Sequence, residues 1–286
     1  MNTVKTAVLL AAITGLFLLL GVILGGMTGL IMAFVFAGVM NFFAYWSSDK
    51  LALRMAGAKE VSMQDQPRLH STVEEVAAQA GVPKPRVYIV QSATPNAFAT
   101  GRNPKHAAVA VTTGIVGLLS ERELRGVLGH ELGHVQNRDI LTSSIVATLA
   151  GAISMIAWMS LWFGGAFGRG SRDNPYGGLI ALAAFLLAPI AAALIQAGIS
   201  RTREFQADAD GAKFTHDPDA LASALEKLHQ GVAARPMEPT PMAQSTAHLY
   251  IVNPFRGGGM INLFSTHPPI EERVRRLRQM AYGSVS

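Results

Sequence analysis

Two histidines four residues apart, His130 and His134, with Glu131 directly after the first, are the residues of this chain best suited to chemistry. On an α-helix, positions i and i+4 lie about one turn apart on one face, so both imidazoles can meet one cation. A zinc ion with three protein ligands keeps one position open and lowers the pKa of a water there towards about 7. Glu131 then stands where a carboxylate can take that water's proton. Such a short pattern also arises by chance on amphipathic helices. The reading therefore turns on whether the chain supplies a helix, a third ligand and a place for substrate.

The helix has its own start signal. Ser120 is followed three positions on by Glu123, the two halves of a capping box, so a helix is predicted to begin near Glu121 and run through His134. A third ligand is offered by Ser200-Arg201-Thr202-Arg203-Glu204-Phe205-Gln206-Ala207-Asp208, which meets no helix breaker before Gly211. Glu204 and Asp208 share one helical face. Two histidines and a glutamate form a catalytic zinc set, and a carboxylate one turn further can accept the free ring N–H of a ligand histidine. By spacing alone, the two acids serve equally well as partners of Arg201 and Arg203 on a solvated face.

Composition places these helices at a membrane. Of 286 residues 50% are hydrophobic and only 15% charged, and mean hydropathy is positive. The net charge of +5 comes from scattered basic residues without an aromatic-rich binding pattern, which excludes nucleic acid as a partner. With no cysteine, any metal site falls to His, Glu and Asp.

Four uncharged apolar runs of bilayer-spanning length are predicted, at about 7–24, 30–46, 140–163 and 178–199. The first two make a hairpin over residues 1–48, closed by Tyr45 and Trp46 at the depth of an aromatic belt, and the last two a hairpin over 140–199. Segments 49–139 and 200–286 are polar and form the two parts of one domain. They carry 11 and 10 of the 24 lysines and arginines, which places both, with the two termini, in the cytoplasm. The helices bearing the candidate ligands are expected to continue into neighbouring spans, with Glu131 and Glu204 about 14 and 8 Å above the hydrocarbon.

Within 49–139, a helix over Pro67–Ala80 and strands over Arg86–Gln91 and Ala107–Thr113 make a small sheet. Asn96, Ala97, Phe98 and Ala99 between the strands read as a polar loop, or as an exposed edge able to hold an extended peptide by main-chain hydrogen bonds. Phe98 suits a core equally well. Beyond a helix at Ala220–Gln230, residues 231–259 show no periodicity and are expected to be mobile and to cover the cleft. Arg273, Arg275, Arg276 and Arg278 are expected on a solvated helix face.

Four stretches together resemble the HtpX-like membrane zinc metalloproteases, relatives of the CAAX prenyl proteases. They are Pro95-Asn96-Ala97-Phe98-Ala99-Thr100-Gly101, Leu128-Gly129-His130-Glu131-Leu132-Gly133-His134, Ser200-Arg201 through Glu204 to Ala207-Asp208, and Ser265-Thr266-His267-Pro268-Pro269-Ile270-Glu271-Glu272-Arg273. The resemblance covers nearly the whole chain. It implies one Zn2+ per chain on His130, His134 and Glu204, Glu131 as general base, Asp208 behind the ligands, and His267 as a hydrogen-bond donor to the developing oxyanion. His267 reads equally as a residue leading into the last helix.

The expected fold is an α-helical integral membrane protein with about four transmembrane helices and an α+β, zincin-like cytoplasmic metalloprotease domain. The expected activity is endopeptidase cleavage of membrane or misfolded proteins at the cytoplasmic face of a bacterial inner membrane. Processing of lipidated peptides and a scaffold with a structural metal are the alternatives. Its partners are peptide or protein substrates and the lipid bilayer, with oligomeric state left open.

Overall fold

The computed structural model describes residues 2–149, 201–255 and 268–283. Most of the second apolar hairpin, and His267, lie outside the described residues. The first helical element, α1 (Asn2–Met55), is broken at Gly25 and Gly26. Gly26 has φ 58 and ψ −137, backbone that a residue with a Cβ resists. There the chain turns back on itself. Asn41 Nδ2 donates to Thr14 Oγ1 at 2.8 Å, and Phe17 meets Phe36 edge-on with ring centres 5.3 Å apart. A methyl on Gly21 would stand 2.5 Å from the Gly29 carbonyl oxygen, so small residues allow the arms this close approach. Gly25–Met55 is the one helix among the described residues long and apolar enough to cross a membrane. Its Met27, Phe34 and Phe42 are 59–72% exposed, a surface suited to hydrocarbon rather than water.

Four strands follow: β1 (Ala58–Glu60), β2 (Arg86–Val90), β3 (Ala97–Gly101) and β4 (Ala107–Thr112), in the order β1-β2-β4-β3. β2 and β4 are parallel, and the other two pairings antiparallel. The sequence predicts only two of them. β1 has three residues, too few for a period-2 signal, and β3 is alanine-rich with weak intrinsic preference for a strand. Pairing with β4 makes β3 a strand.

Both sheet faces are covered, which is why the strands read as continuous apolar runs. Val87, Ile89, Ala99, Val109 and Val111 pack on α2 (Pro67–Gln79) and on later helices. Tyr88, Phe98, Ala108 and Ala110 face the last turn of α1, through Ala52 and Leu53, and Tyr250.

After the short α3 (Thr113–Leu118) comes α4 (Glu121–Gln136), which carries the paired histidines. Its capping box is formed: Ser120 N–H donates to Glu123 Oε2 at 2.9 Å, and Glu123 N–H to Ser120 Oγ at 3.3 Å. α4 does not continue unbroken into the next apolar run. Arg138 takes φ 58, a left-handed cap, and a new helix, α5, starts at Ile140 and is described to Leu149. The bend returns Asp139 towards α4, where its N–H donates to the His134 carbonyl at 2.9 Å.

Beyond the undescribed stretch, α6 (Arg201–Thr215) lies against α4, and α7 (Pro218–Ala234) packs beside both. Residues 235–255 are more ordered in pattern than their composition suggests. They hold α8 (Pro241–Thr246) and a 3-10 turn, Ala247–Leu249, and then run along the outside of β3, where Ile251 N–H donates to Ala97 O at 3.0 Å. Side-chain amides anchor this strap where periodicity is silent: Asn96 Nδ2 donates to Val252 O at 2.7 Å. α9 (Ile270–Tyr282) closes the fold against α7.

Glu123 joins α4 to α7 besides capping α4, accepting from Ser223 Oγ at 2.6 Å and Lys227 Nζ at 2.8 Å. Burial would raise its pKa, but Lys227, Ser223 and Ser120 outweigh burial and hold it down at about 2. A carboxylate depressed in the folded state stabilises above its unfolded pKa. Glu123→Gln is expected to cost about 1–3 kcal/mol at neutral pH. In thermal denaturation, the gap to wild type should close as pH falls from about 4.5 towards 2.

Candidate active site

The centre of the site is a contact between two helix backbones. A methyl added to Gly211 of α6 would stand 2.6 Å from His130 N and 2.8 Å from the Gly129 carbonyl carbon of α4. Glycine on both helices lets the axes approach closely, so that Glu204, two turns before Gly211, reaches the histidines. His130 Nε2 is 3.7 Å from Glu204 Oε2, and His134 Nε2 is 3.5 Å from Glu204 Oε1. The three ligand-type atoms all lie within 4.8 Å of one another, the one such cluster found among the described residues.

The rings are held from behind. His130 Nδ1 is 2.9 Å from Asp208 Oδ1, and His134 Nδ1 is 3.2 Å from Asp139 Oδ2. Hydrogen bonds there fix the orientation of each ring and turn both Nε2 atoms inward. Asp208 sits where the helical spacing puts it. Asp139 is a residue the sequence reading missed; its position depends on the left-handed Arg138, which no periodicity announces.

Arg273 also departs from expectation. It is fully buried rather than solvated, donating from Nε to Asp208 Oδ2 at 2.8 Å, from Nη2 to Asp208 Oδ1 at 2.6 Å and from Nη1 to Ile251 O at 2.9 Å. The reason is charge: Asp208 inside the protein needs a bidentate partner, and α9 brings Arg273 to it. Arg275, Arg276 and Arg278 stay at the surface, paired with Glu272 and Glu226.

Glu131 is 2% exposed, and its Oε1 has no hydrogen-bond partner among the described residues. Burial pushes its carboxyl up to about 7, with Glu204 adding to the rise and His134 and the Ala99 N–H opposing it. Burial also takes His130 down to about 4. For His134 burial acts in the same sense, but Glu204 and Asp139 outweigh it and raise the imidazole to about 9. Arg273 and His130 overcome the burial of Asp208 and keep it at about 2.

Of the four residues expected at the substrate edge, only Ala99 lines the cavity. Thr112 N–H donates to Asn96 O, so the backbone groups of Asn96, Phe98 and Thr100 face β4 and those of Ala97, Ala99 and Gly101 face outward. The Asn96 side chain is buried on the strap, and Phe98 is buried edge-on to Tyr250, 5.1 Å between ring centres. The cavity over His130, Glu131 and Glu204 measures about 30 Å³, with Leu249, Tyr250 and Ile251 forming part of its wall.

Two imidazoles and a carboxylate, without thiols, make a donor set that fits zinc. The orphaned Glu131 oxygen beside them fits a site built to receive a polar group. Fold and site together define a metallopeptidase of the HExxH type. The chain belongs to peptidase family M48, whose description it matches over residues 63–281. It is 56% identical to a protease HtpX homolog of Persephonella marina, with 100% of both chains covered. It is 55% identical to one of Ralstonia pickettii, covering 98% of this chain and 97% of that one. Among solved structures, it resembles the crystal structure of Ste24p from S. mikatae at a TM-score of 0.53 and 21% identity, over 96% of this chain and 65% of that one. The protein is a membrane metalloprotease of this family.

Gly211→Ala should force α4 and α6 apart, costing about 1–3 kcal/mol. Metal per chain, measured on the purified protein, should fall with it. Arg273→Met leaves buried Asp208 without its guanidinium, with only His130 Nδ1 beside it, and is expected to cost about 3–5 kcal/mol. Arg275→Met at the surface should cost no more than about 1 kcal/mol in the same thermal denaturation.

Proposed function

We propose that the chain is a zinc-dependent endopeptidase that hydrolyses peptide bonds of membrane or misfolded proteins at the cytoplasmic face of a bacterial inner membrane, held there by about four spans around a zincin-like domain. The observation that carries this reading is the convergence of His130, His134 and Glu204 beside a buried carboxylate with an unpartnered oxygen. These three residues would hold the ion, which when bound supplies Lewis-acid polarisation of the scissile carbonyl. Glu131 Oε1 is the atom placed to take a proton from the attacking water and to return it to the leaving amine.

The outward edge of β3 supports the binding of an extended peptide, because Ala99 on that edge lines the cavity next to Glu131. Leu249, Tyr250 and Ile251 of the strap wall the same cavity, and Ile251 N–H donates to Ala97 O further along this edge.

A hairpin over residues 140–199 is supported by the packing of α4 against α6, since two crossings leave the segments on either side of it on one face. Counts of lysine and arginine support a cytoplasmic position for that face.

In the test, Glu131→Gln is expected to lower cleavage of an unstructured protein substrate by at least about 100-fold while one zinc per chain is retained. Cleavage at the wild-type rate would overturn the assignment of the base. Zinc retained at wild-type affinity by Glu204→Ala would remove that residue from the ligand set.

A further inference from the structure

His134 differs from His130 in how its ring is fixed. Behind His130 stands a buried, bidentate pair, Asp208 with Arg273. A second aspartate–arginine pair stands behind His134: Asp139 Oδ2 lies 3.2 Å from His134 Nδ1, and Asp139 Oδ1 lies 3.5 Å from Arg203 Nη1. The Asp139 and Arg203 side chains are 5% and 14% exposed, so water competes little for these bonds. Arg203 immediately precedes Glu204. One helix turn thus presents a candidate ligand and also anchors the carboxylate that orients another.

We infer that Asp139 and Arg203 are positioning residues for His134, holding its Nδ1 proton and ring plane so that Nε2 faces the position between His130 and Glu204. The inference rests on the reading of His130, His134 and Glu204 as metal ligands. Without Asp139, the imidazole can rotate or carry its proton on Nε2, where it cannot ligate. Arg203 fixes the other carboxylate oxygen and keeps Oδ2 on the ring.

Asp139 also precedes α5, and Ser143 N–H donates to its backbone oxygen at 3.2 Å, so a helix-start role has to be separated from positioning. Asparagine starts helices as well as aspartate does, but lacks the charge that holds the imidazole proton and Arg203. Zinc affinity of the full-length chain in detergent, measured by chelator competition, gives the decisive readout. The visible spectrum of the cobalt-substituted protein reports ligand geometry alongside it.

Asp139→Asn is expected to weaken zinc binding about 10-fold and to shift the cobalt spectrum, and Asp139→Ala to weaken it by up to about 100-fold. Arg203→Ala should weaken it about 3-fold, with Arg203→Lys recovering most of the loss. If Asp139→Ala does not fold, Asp139→Asn and the Arg203 pair decide. Wild-type affinity and an unshifted spectrum in Asp139→Asn and Arg203→Ala would overturn the inference. His134→Ala is the control: zinc kept at wild-type affinity there means the ligand reading itself has failed, whereas zinc lost there but kept in the Asp139 and Arg203 variants sinks only the positioning role.

Discussion

The structure depends on how closely α4 and α6 approach. At Gly129 and Gly211 the two backbones touch, and any side chain at Gly211 would collide with main-chain atoms. Contact at that distance removes the layer of side chains that normally separates helices by about 8–10 Å. It brings a short glutamate side chain on one helix within 3.7 Å of two imidazoles on the other. The site is thus a product of helix docking: its charged groups are assembled by packing at glycine, and the same docking excludes water from them.

Excluding water makes the electrostatics severe. His130, Glu131, Glu204, Asp208 and Arg273 are all buried within one small volume, where unpaired charge is costly. The arrangement answers with connection. Each imidazole is matched to a carboxylate, and each of those carboxylates to a guanidinium, Arg273 behind one and Arg203 behind the other. The conspicuous exception is the Glu131 oxygen at the cavity, where chemistry would need a group not already committed. Preorganisation of this kind fits a site that must bind a cation and then polarise a peptide without reorganising.

The sheet links this centre to the membrane. One face of β3 and β4 packs with the helices of the site, and the other with the end of α1, whose preceding turns are exposed and apolar. The edge strand β3 therefore stands between the end of α1 and the group of His130, His134 and Glu204. Its outward groups are partly taken by the strap through Ala97 and left at Ala99 towards Glu131. A mainly helical protein gains from this small sheet a rigid edge beside its reactive centre.

What the sequence determined by itself is local or periodic. The paired histidines, the capping box at Ser120 and Glu123, the shared face of Glu204 and Asp208, and the apolar run ending at Trp46 all follow from spacing along one helix. Tertiary structure decided whatever depends on distant segments meeting. Only the α4–α6 contact brings Glu204 to the histidines. Arg273, read as one of a solvated row, is drawn inward by a buried aspartate 65 residues away. Asp139 turns back to His134 through a left-handed arginine, β3 exists because β4 offers it partners, and the strap of low-periodicity residues is held by the Asn96 amide. The physical reason is common to these cases. Periodicity reports which face of an element is buried, whereas the partner of a buried charge or an unpaired strand edge is chosen by its three-dimensional neighbours.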